Sequence, residues 1–372
     1  MRWMRGVTLA AVGMLAGCLE AKTVHCADGV VCPEGMACAL APVYCESPQR
    51  VAACAGADDF TTCTADAVAG ACRGGACVPC TDTNELAGCD HTGWFAMPSG
   101  TTANLRGVWT TGPGEAYAVG DDTILRYDGF RWAPEVIDGV VPAFTGVWGS
   151  DSDRVFASTG AGGIYQRAVD GTWGLVHSTG GQLRSIAGSG PDDVIALGSL
   201  GTMVRSATNG WAMETITTTD LLYGVAARSR DDVFVVGTRG VIHRSTGTTW
   251  GLSRPAAMGQ STLFAVAATP TTAFAIGEDD GTTTALRLPT GAAGWIKDPL
   301  PGVPAGATFT GIWAADPGAI AVGKSGRILH YTGTWAVVPS STGTDLSAVH
   351  GSDLRNVFAV GAGGTIVRYT GP

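Results

Sequence analysis

Beyond Cys89 this chain of 372 residues has no cysteine, and along its whole length it has only three lysines, Lys22, Lys297 and Lys324. The first absence excludes disulfides and zinc thiolates from everything downstream of that residue. The second, with a net charge of −9, excludes the basic stripe that a nucleic-acid partner requires. Long apolar runs are also missing. The most apolar stretch, Val7 to Leu15, is too short to cross a bilayer, which takes about 20 residues as a helix. No HxH or HExxH spacing, Gly-x-Ser-x-Gly elbow or phosphate loop ahead of a helix occurs, which removes the commonest local signatures of metal, nucleophile and nucleotide chemistry.

What the chain does have is glycine, 55 residues of it, and a rhythm of tryptophans. Trp94, Trp132, Trp173, Trp211, Trp250, Trp295 and Trp335 are separated by 38, 41, 38, 39, 45 and 40 residues. A period near 40 marks a repeat architecture. Each repeat holds three short apolar runs: a Leu-x-Gly-Val-Trp type (Leu105 to Trp109), a Val-Phe-Ala-Val-Gly type (Val357 to Gly361) and an Ile-x-Arg-Tyr type (Ile366 to Tyr369); a fourth begins at the tryptophan, as in Trp335 to Pro339. Such runs, rich in β-branched and aromatic residues and bounded by Gly, Asp, Ser and Pro, read as strands too short for helices. Four strands per repeat make a propeller blade. Glycine pairs such as Gly162-Gly163 and Gly363-Gly364 fall between the second and third runs, where a tight hairpin needs positive φ. The last repeat stops at Pro372 just before its tryptophan strand, while Trp94 to Pro98 precedes the first full repeat. That segment is therefore expected to be the outer strand of the last blade, giving an all-β, seven-bladed propeller over residues 92–372 with no free blade edge at its junction.

The turns before the tryptophans, Asp128-Gly129-Phe130-Arg131-Trp132, Asp170-Gly171-Thr172-Trp173, Asn209-Gly210-Trp211, Thr246-Gly247-Thr248-Thr249-Trp250 and Thr332-Gly333-Thr334-Trp335, resemble the Asp-box turn, roughly Ser-x-Asp-x-Gly-x-Thr-Trp. The resemblance spans residues 94–372. It points to the propellers of sialidases, sortilin-type receptors and photosystem II assembly-factor-like proteins, and no Trp-Asp dipeptide favours a WD-repeat propeller. The Asp side chains are expected to bind neighbouring backbone amides.

Upstream, Arg2 and Arg5 precede the apolar stretch and Leu15-Ala16-Gly17-Cys18. This run resembles a bacterial lipobox, which implies a signal peptide at 1–17, a lipidated Cys18 followed by a tether over 18–25, and stable anchoring by two or more acyl chains. Leu19, rather than Asp, in the second mature position implies the outer membrane. Losing the two arginines takes the mature charge to about −11. Ten cysteines remain: Cys26, Cys32, Cys38, Cys45, Cys54, Cys63, Cys72, Cys77, Cys80 and Cys89. An even, dense set in an exported chain reads as a disulfide-rich module over 26–90, a stalk or spacer whose connectivity the sequence leaves open. Cys77-Val78-Pro79-Cys80 has a zinc-like spacing, but only His25 and His91 could complete a site. No metal or other cofactor is expected.

The resemblance to sialidases raises an enzyme reading, which needs arginines converging from different blades. Arg126, Arg205, Arg244, Arg287 and Arg368 instead hold one position in the third run of five repeats, with Gln166 and His330 in the other two. Repetition points to a structural task. The acidic turns at Asp151/Asp153, Asp192/Asp193, Asp231/Asp232 and Asp353 repeat likewise and read as turn formers. Function is expected where the rhythm breaks: the long connections Gly251 to Thr262 and Lys297 to Thr308, and the irregular fifth repeat, with Glu278, Asp279, Asp280, Lys297 and Asp298 as candidate ligand-binding residues. The expected protein is a monomeric, non-catalytic envelope lipoprotein binding a protein or glycan. An envelope glycoside hydrolase of the Asp-box type is the alternative.

Overall fold

The computed structural model describes residues 23–26, 31–33, 36–40, 43–59, 61–73, 75–80, 93–207, 210–247, 249–255, 258 and 261–371. The signal peptide, Cys18, Cys89 and His91, with the turn residues Asn209 and Thr248, lie outside the described residues. Two compact units divide at Pro79/Cys80.

In the first unit, Val24–His25 pairs with Val31–Cys32 and Ala37–Leu40 with Val43–Glu46. A short helix, Pro48–Ala53, starts where the Ser47 hydroxyl accepts the Arg50 amide at 3.3 Å, and a three-stranded sheet follows over Thr62–Ala65, Val68–Arg73 and Ala76–Pro79. Disulfides join Cys26 to Cys38, Cys32 to Cys45, Cys54 to Cys72 and Cys63 to Cys77. Each half of the unit thus uses the same interleaved pattern, first to third and second to fourth, and Cys80 is disulfide-bonded as well. Cys77, the first cysteine of the zinc-like pair, is therefore unavailable as a thiolate. The core here is small: Cys54, Cys72, Cys77 and Ala65 supply its buried centre. Closing loops 12 to 18 residues apart contributes roughly 3 kcal/mol per bridge. Reduction should unfold this unit while the cysteine-free propeller keeps its melting temperature; a calorimetric trace in which both transitions move together would refute that separation.

The second unit contains seven four-stranded antiparallel sheets among the described residues. Blade one is Leu105–Gly112, Glu115–Gly120, Ile124–Tyr127 and Trp132–Pro134. Blades two to six follow in register, beginning at Phe144, Leu183, Leu222, Ser261 and Phe309. Blade seven combines Leu346–Asp353, Asn356–Gly361 and Ile366–Tyr369 with Trp94–Met97, Tyr369 lying opposite Trp94 and Ile366 opposite Met97. The two ends of the propeller thus share one sheet. The expected Asp-box chemistry is present in the first two blades: Asp128 Oδ1 accepts the amides of Phe130 and Arg131, both at 2.9 Å, and Asp170 Oδ1 accepts that of Thr172 at 3.0 Å.

The tryptophan rhythm has a packing cause. Each fourth-strand tryptophan meets the third residue of the second strand in the preceding blade, edge-on where that residue is aromatic. Trp173 meets Tyr117, Trp211 meets Phe156, Trp295 meets Phe234, Trp335 meets Phe274 and Trp132 meets Phe358, with ring centroids 5.7 to 6.1 Å apart. Where that position is isoleucine, Ile195 and Ile320 share apolar clusters with Trp250 and Trp94. Edge-to-face pairs add about 0.5–1.5 kcal/mol each beyond area burial.

A second code operates nearer the axis. Trp109, Trp148 and Trp313, fifth in their first strands, lie over Gly149, Gly188 and Gly351 of the following blade, where an added Cβ would come within 2.6 to 2.8 Å of the indole. Where the corresponding residue is alanine, at Ala187, Ala226 and Ala267, its counterpart in the next blade is Ala227, Ala268 or Ala314, in the same cluster. Large meets glycine and small meets alanine at six of the seven interfaces; at the seventh, His350 of blade seven meets Thr110 of blade one. Gly149→Ala should cost about 1–3 kcal/mol through overpacking, and much less in a Trp109→Ala background. Equal costs in both backgrounds, by denaturant titration, would show that the pair is not coupled.

Candidate functional site

The first strands of all seven blades line one central cavity of about 340 Å³, within the range of small-ligand pockets. Its wall is read directly from the first apolar run of each repeat. The fourth residue is always β-branched: Val108, Val147, Ile186, Val225, Val266, Ile312 and Val349. Each keeps 5–8% exposure and borders the cavity. These seven form an aliphatic neck. The third residue is Gly107, Gly146, Ser185, Gly224, Ala265, Gly311 or Ala348, because adjacent first strands nearly touch there; a Cβ on Gly107 would lie 2.9 Å from the Gly146 Cα.

The second residue of the run is the one that the repeat leaves free, and the backbone treats it specially. In every blade the pairing of the first two strands slips at this position, skipping Arg106, Thr145, Arg184, Tyr223, Phe264, Thr310 and Ser347. A bulge re-aims the side chain it carries, and all seven residues border the cavity. They share a face with the hairpins between second and third strands, whose amides bond the residues preceding each first strand, as Asp121 N to Asn104 O and Thr238 N to Leu221 O do at 3.1 and 2.9 Å.

This mouth is asymmetric. In blades three to five, the Arg184 guanidinium lies 5.4 Å from the Tyr223 ring centre and Tyr223 lies 5.9 Å from Phe264, forming a continuous cation–aromatic row. Elsewhere the positions carry Thr or Ser, apart from Arg106. Arg106 is neutralised by Asp121, 2.6 Å away, whose carboxyl is held below the usual range by hydrogen bonds from Arg106 and Asn104. Arg184 forms no ion pair with a described residue. The only signal of this mouth in the sequence is the variable second place of an otherwise repeated run.

The fifth-blade candidates are only partly gathered. Asp280, at φ 49°, and Gly281 make the tight turn between the second and third strands. Asp279 accepts the Ser261 hydroxyl at 2.5 Å and the Lys297 ammonium at 2.8 Å, and Glu278 accepts the Thr308 hydroxyl at 2.7 Å. Asp298, beside Lys297, points to the opposite side of the sheet, as strand alternation requires, and takes Arg287 Nε at 2.7 Å. These side chains fasten the blade-five hairpin to its flanking loops. Nor is 297–308 a free arm: Leu300 and Val303 pack on the blade-five and blade-six core, and Ala307 is buried and bonded by Thr283. Replacing it by a short turn would therefore open that core. A third long connection, residues 135–143 between blades one and two, places Val136, Val140 and Val141 in solvent.

The repeated arginines serve the interfaces. Arg126, Arg205 and Arg244 pair with Glu115, Asp193 and Asp232 at the start of the second strand in their own blades, at 2.6 to 2.7 Å. Arg205 and Arg368 also donate to the carbonyls of Arg230 and Pro113 in the next blade, at 2.5 and 3.1 Å. They are distributed around the ring rather than convergent. His330 Nε2 accepts from Trp94 Nε1 at 3.2 Å, and His350 Nδ1 accepts from the Thr110 amide at 3.2 Å. Burial pushes both imidazoles down to about 4, so both are neutral acceptors at pH 7.

No protein-family model matches the chain, and no curated protein sequence matches it either. Its fold is similar to solved propellers. YCF48 bound to a D1 peptide aligns with a TM-score of 0.61 at 15% identity over 76% of this chain and 98% of that one. YCF48 from Cyanidioschyzon merolae gives 0.59 at 15% identity over 75% and 98%, and the WD40 propeller domain of Doa1 gives 0.59 at 11% over 75% and 97%.

Proposed function

We propose that this chain is a non-catalytic, lipid-anchored protein of the cell envelope whose propeller binds a protein partner at the mouth of its central channel. The observation that carries the binding reading is the asymmetry of the mouth. Seven bulges aim seven side chains at one opening, and only three adjacent blades equip it with a cation and two aromatic rings. Titratable groups that recur between blades are engaged in packing, whereas this set is not repeated. That a similarly folded propeller has been solved with a peptide bound supports a peptide rather than a small-molecule partner. The anchor reading rests on Leu15-Ala16-Gly17-Cys18 and on the even count of the remaining cysteines.

Two measurements test it. Cross-linking and pull-down from envelope extract with the lipid-free chain should retain a specific protein, and a fluorogenic sialoside should not be turned over; robust turnover that follows the purified chain would replace this reading with the glycosidase one. Mass spectrometry should find an acylated Cys18 at the mature N-terminus, and Cys18→Ser should leave the membrane fraction. An unmodified N-terminus elsewhere would remove the anchor.

A further inference from the structure

Building on the protein-binding reading, we infer that the mouth recognises an extended peptide in which an acidic residue neighbours an apolar one. The carboxylate meets Arg184, and the apolar side chain passes beside Tyr223 and Phe264 into the aliphatic neck.

The cation and the neck impose different demands. Arg184 is exposed, is aligned by its stack on Tyr223, and pairs with no carboxylate among the described residues, unlike Arg106 with Asp121. A planar guanidinium held in this way accepts a carboxylate in bidentate geometry. Directly below, Ile186, Val225 and Val266 of the same three blades offer methyl groups and no hydrogen-bonding atom. A sugar inserted there would lose hydroxyl hydration without replacement. A Leu, Ile or Phe side chain instead gains from the burial of its apolar surface. The neck therefore favours a peptide side chain over an acidic glycan, and the approach past Tyr223 and Phe264 is lined by ring faces that an apolar group can cover.

Selection of phage-displayed random heptapeptides on the full chain tests this directly. Peptides enriched on the wild type should carry Asp or Glu next to Leu, Ile, Val or Phe. Synthetic versions should bind at least about tenfold more weakly to Arg184→Gln and to Phe264→Ser, as expected for a central charged or aromatic anchor. Arg154→Gln, which removes the same charge from an exposed turn on the opposite face, should bind as the wild type does. In the peptide, Glu→Gln should weaken binding to the wild type but not further weaken binding to Arg184→Gln. Unchanged melting temperatures would show that the variants are folded, since Arg184 is exposed. Selection that ignores Arg184, no enrichment, or displacement of bound peptide by sialyllactose would each overturn the inference. Retention of an envelope protein at this mouth by a segment without an acidic–apolar pair would leave the wider reading standing while this one fell.

Discussion

A chain that begins at residue 93 should fold as a propeller, and one that begins at residue 98 should not. The second lacks Trp94–Met97, which completes blade seven against Ile366–Tyr369. Trp94 and Met97 are buried, and the indole reaches both Tyr369 of its own blade and His330 of blade six. Removing a buried tryptophan alone costs about 3–5 kcal/mol. Removing the strand adds the lost ladder bonds and leaves an open sheet edge, so the total approaches the 5–15 kcal/mol that holds a typical domain together. Circular dichroism and thermal melts of the two chains should separate clearly. Equal cooperativity and melting temperature would mean that the ring does not depend on its terminal strand.

Acidification from pH 7 to about 4.5 should destabilise the propeller through its buried histidines. His330 and His350 titrate near 4 in the folded protein because burial disfavours the imidazolium, against about 6.5 in an unfolded chain. With the folded value lowered, the unfolded state takes up protons first as the pH drops. The stabilisation is complete above about pH 6.5 and is lost progressively towards 4, by roughly 2–3 kcal/mol for each histidine. His243, also depressed by burial although Asp220 opposes the shift, acts in the same direction. Location sharpens the expectation. His330 bonds blade six to the terminal strand of blade seven, and His350 bonds blade seven to blade one, so acid should loosen the propeller at its junction. His330→Gln with His350→Asn keeps acceptor atoms in place without a titrating ring and should flatten much of the fall in melting temperature between pH 6.5 and 4.5. An unchanged slope would locate the acid sensitivity elsewhere.

Much of the fold was legible because its constraints are periodic. The tryptophan spacing marks seven repeats, and the hairpin glycines mark where strands turn; Gly162, Gly363 and Gly364 do have positive φ. The terminal strand was legible too, since a fourth run missing at one end reappears at the other. The third-strand arginines, read from their repetition as structural, bond at Arg126, Arg205 and Arg244 to acidic residues of their own blades and, at Arg205 and Arg368, to carbonyls of the next. The blade-five acids read less well. Glu278, Asp279 and Lys297 break the rhythm, yet they do so to brace longer loops, a partnership with Ser261 and Thr308 that spacing alone does not reveal.

By itself the sequence determined the blade count, the strand order, the closing strand and the confinement of cysteines to residues ahead of the propeller strands, because each follows from local pattern and residue count. Tertiary structure decided what depends on distance between repeats. It paired eight of the cysteines in four disulfides, matched Trp109 to Gly149 and Ala187 to Ala227 across blade interfaces, and turned one variable residue per repeat toward a common opening through a bulge. Arg184, Tyr223 and Phe264 lie about 40 residues apart in the chain, one blade period each. Only the stacking of blades three, four and five places them side by side.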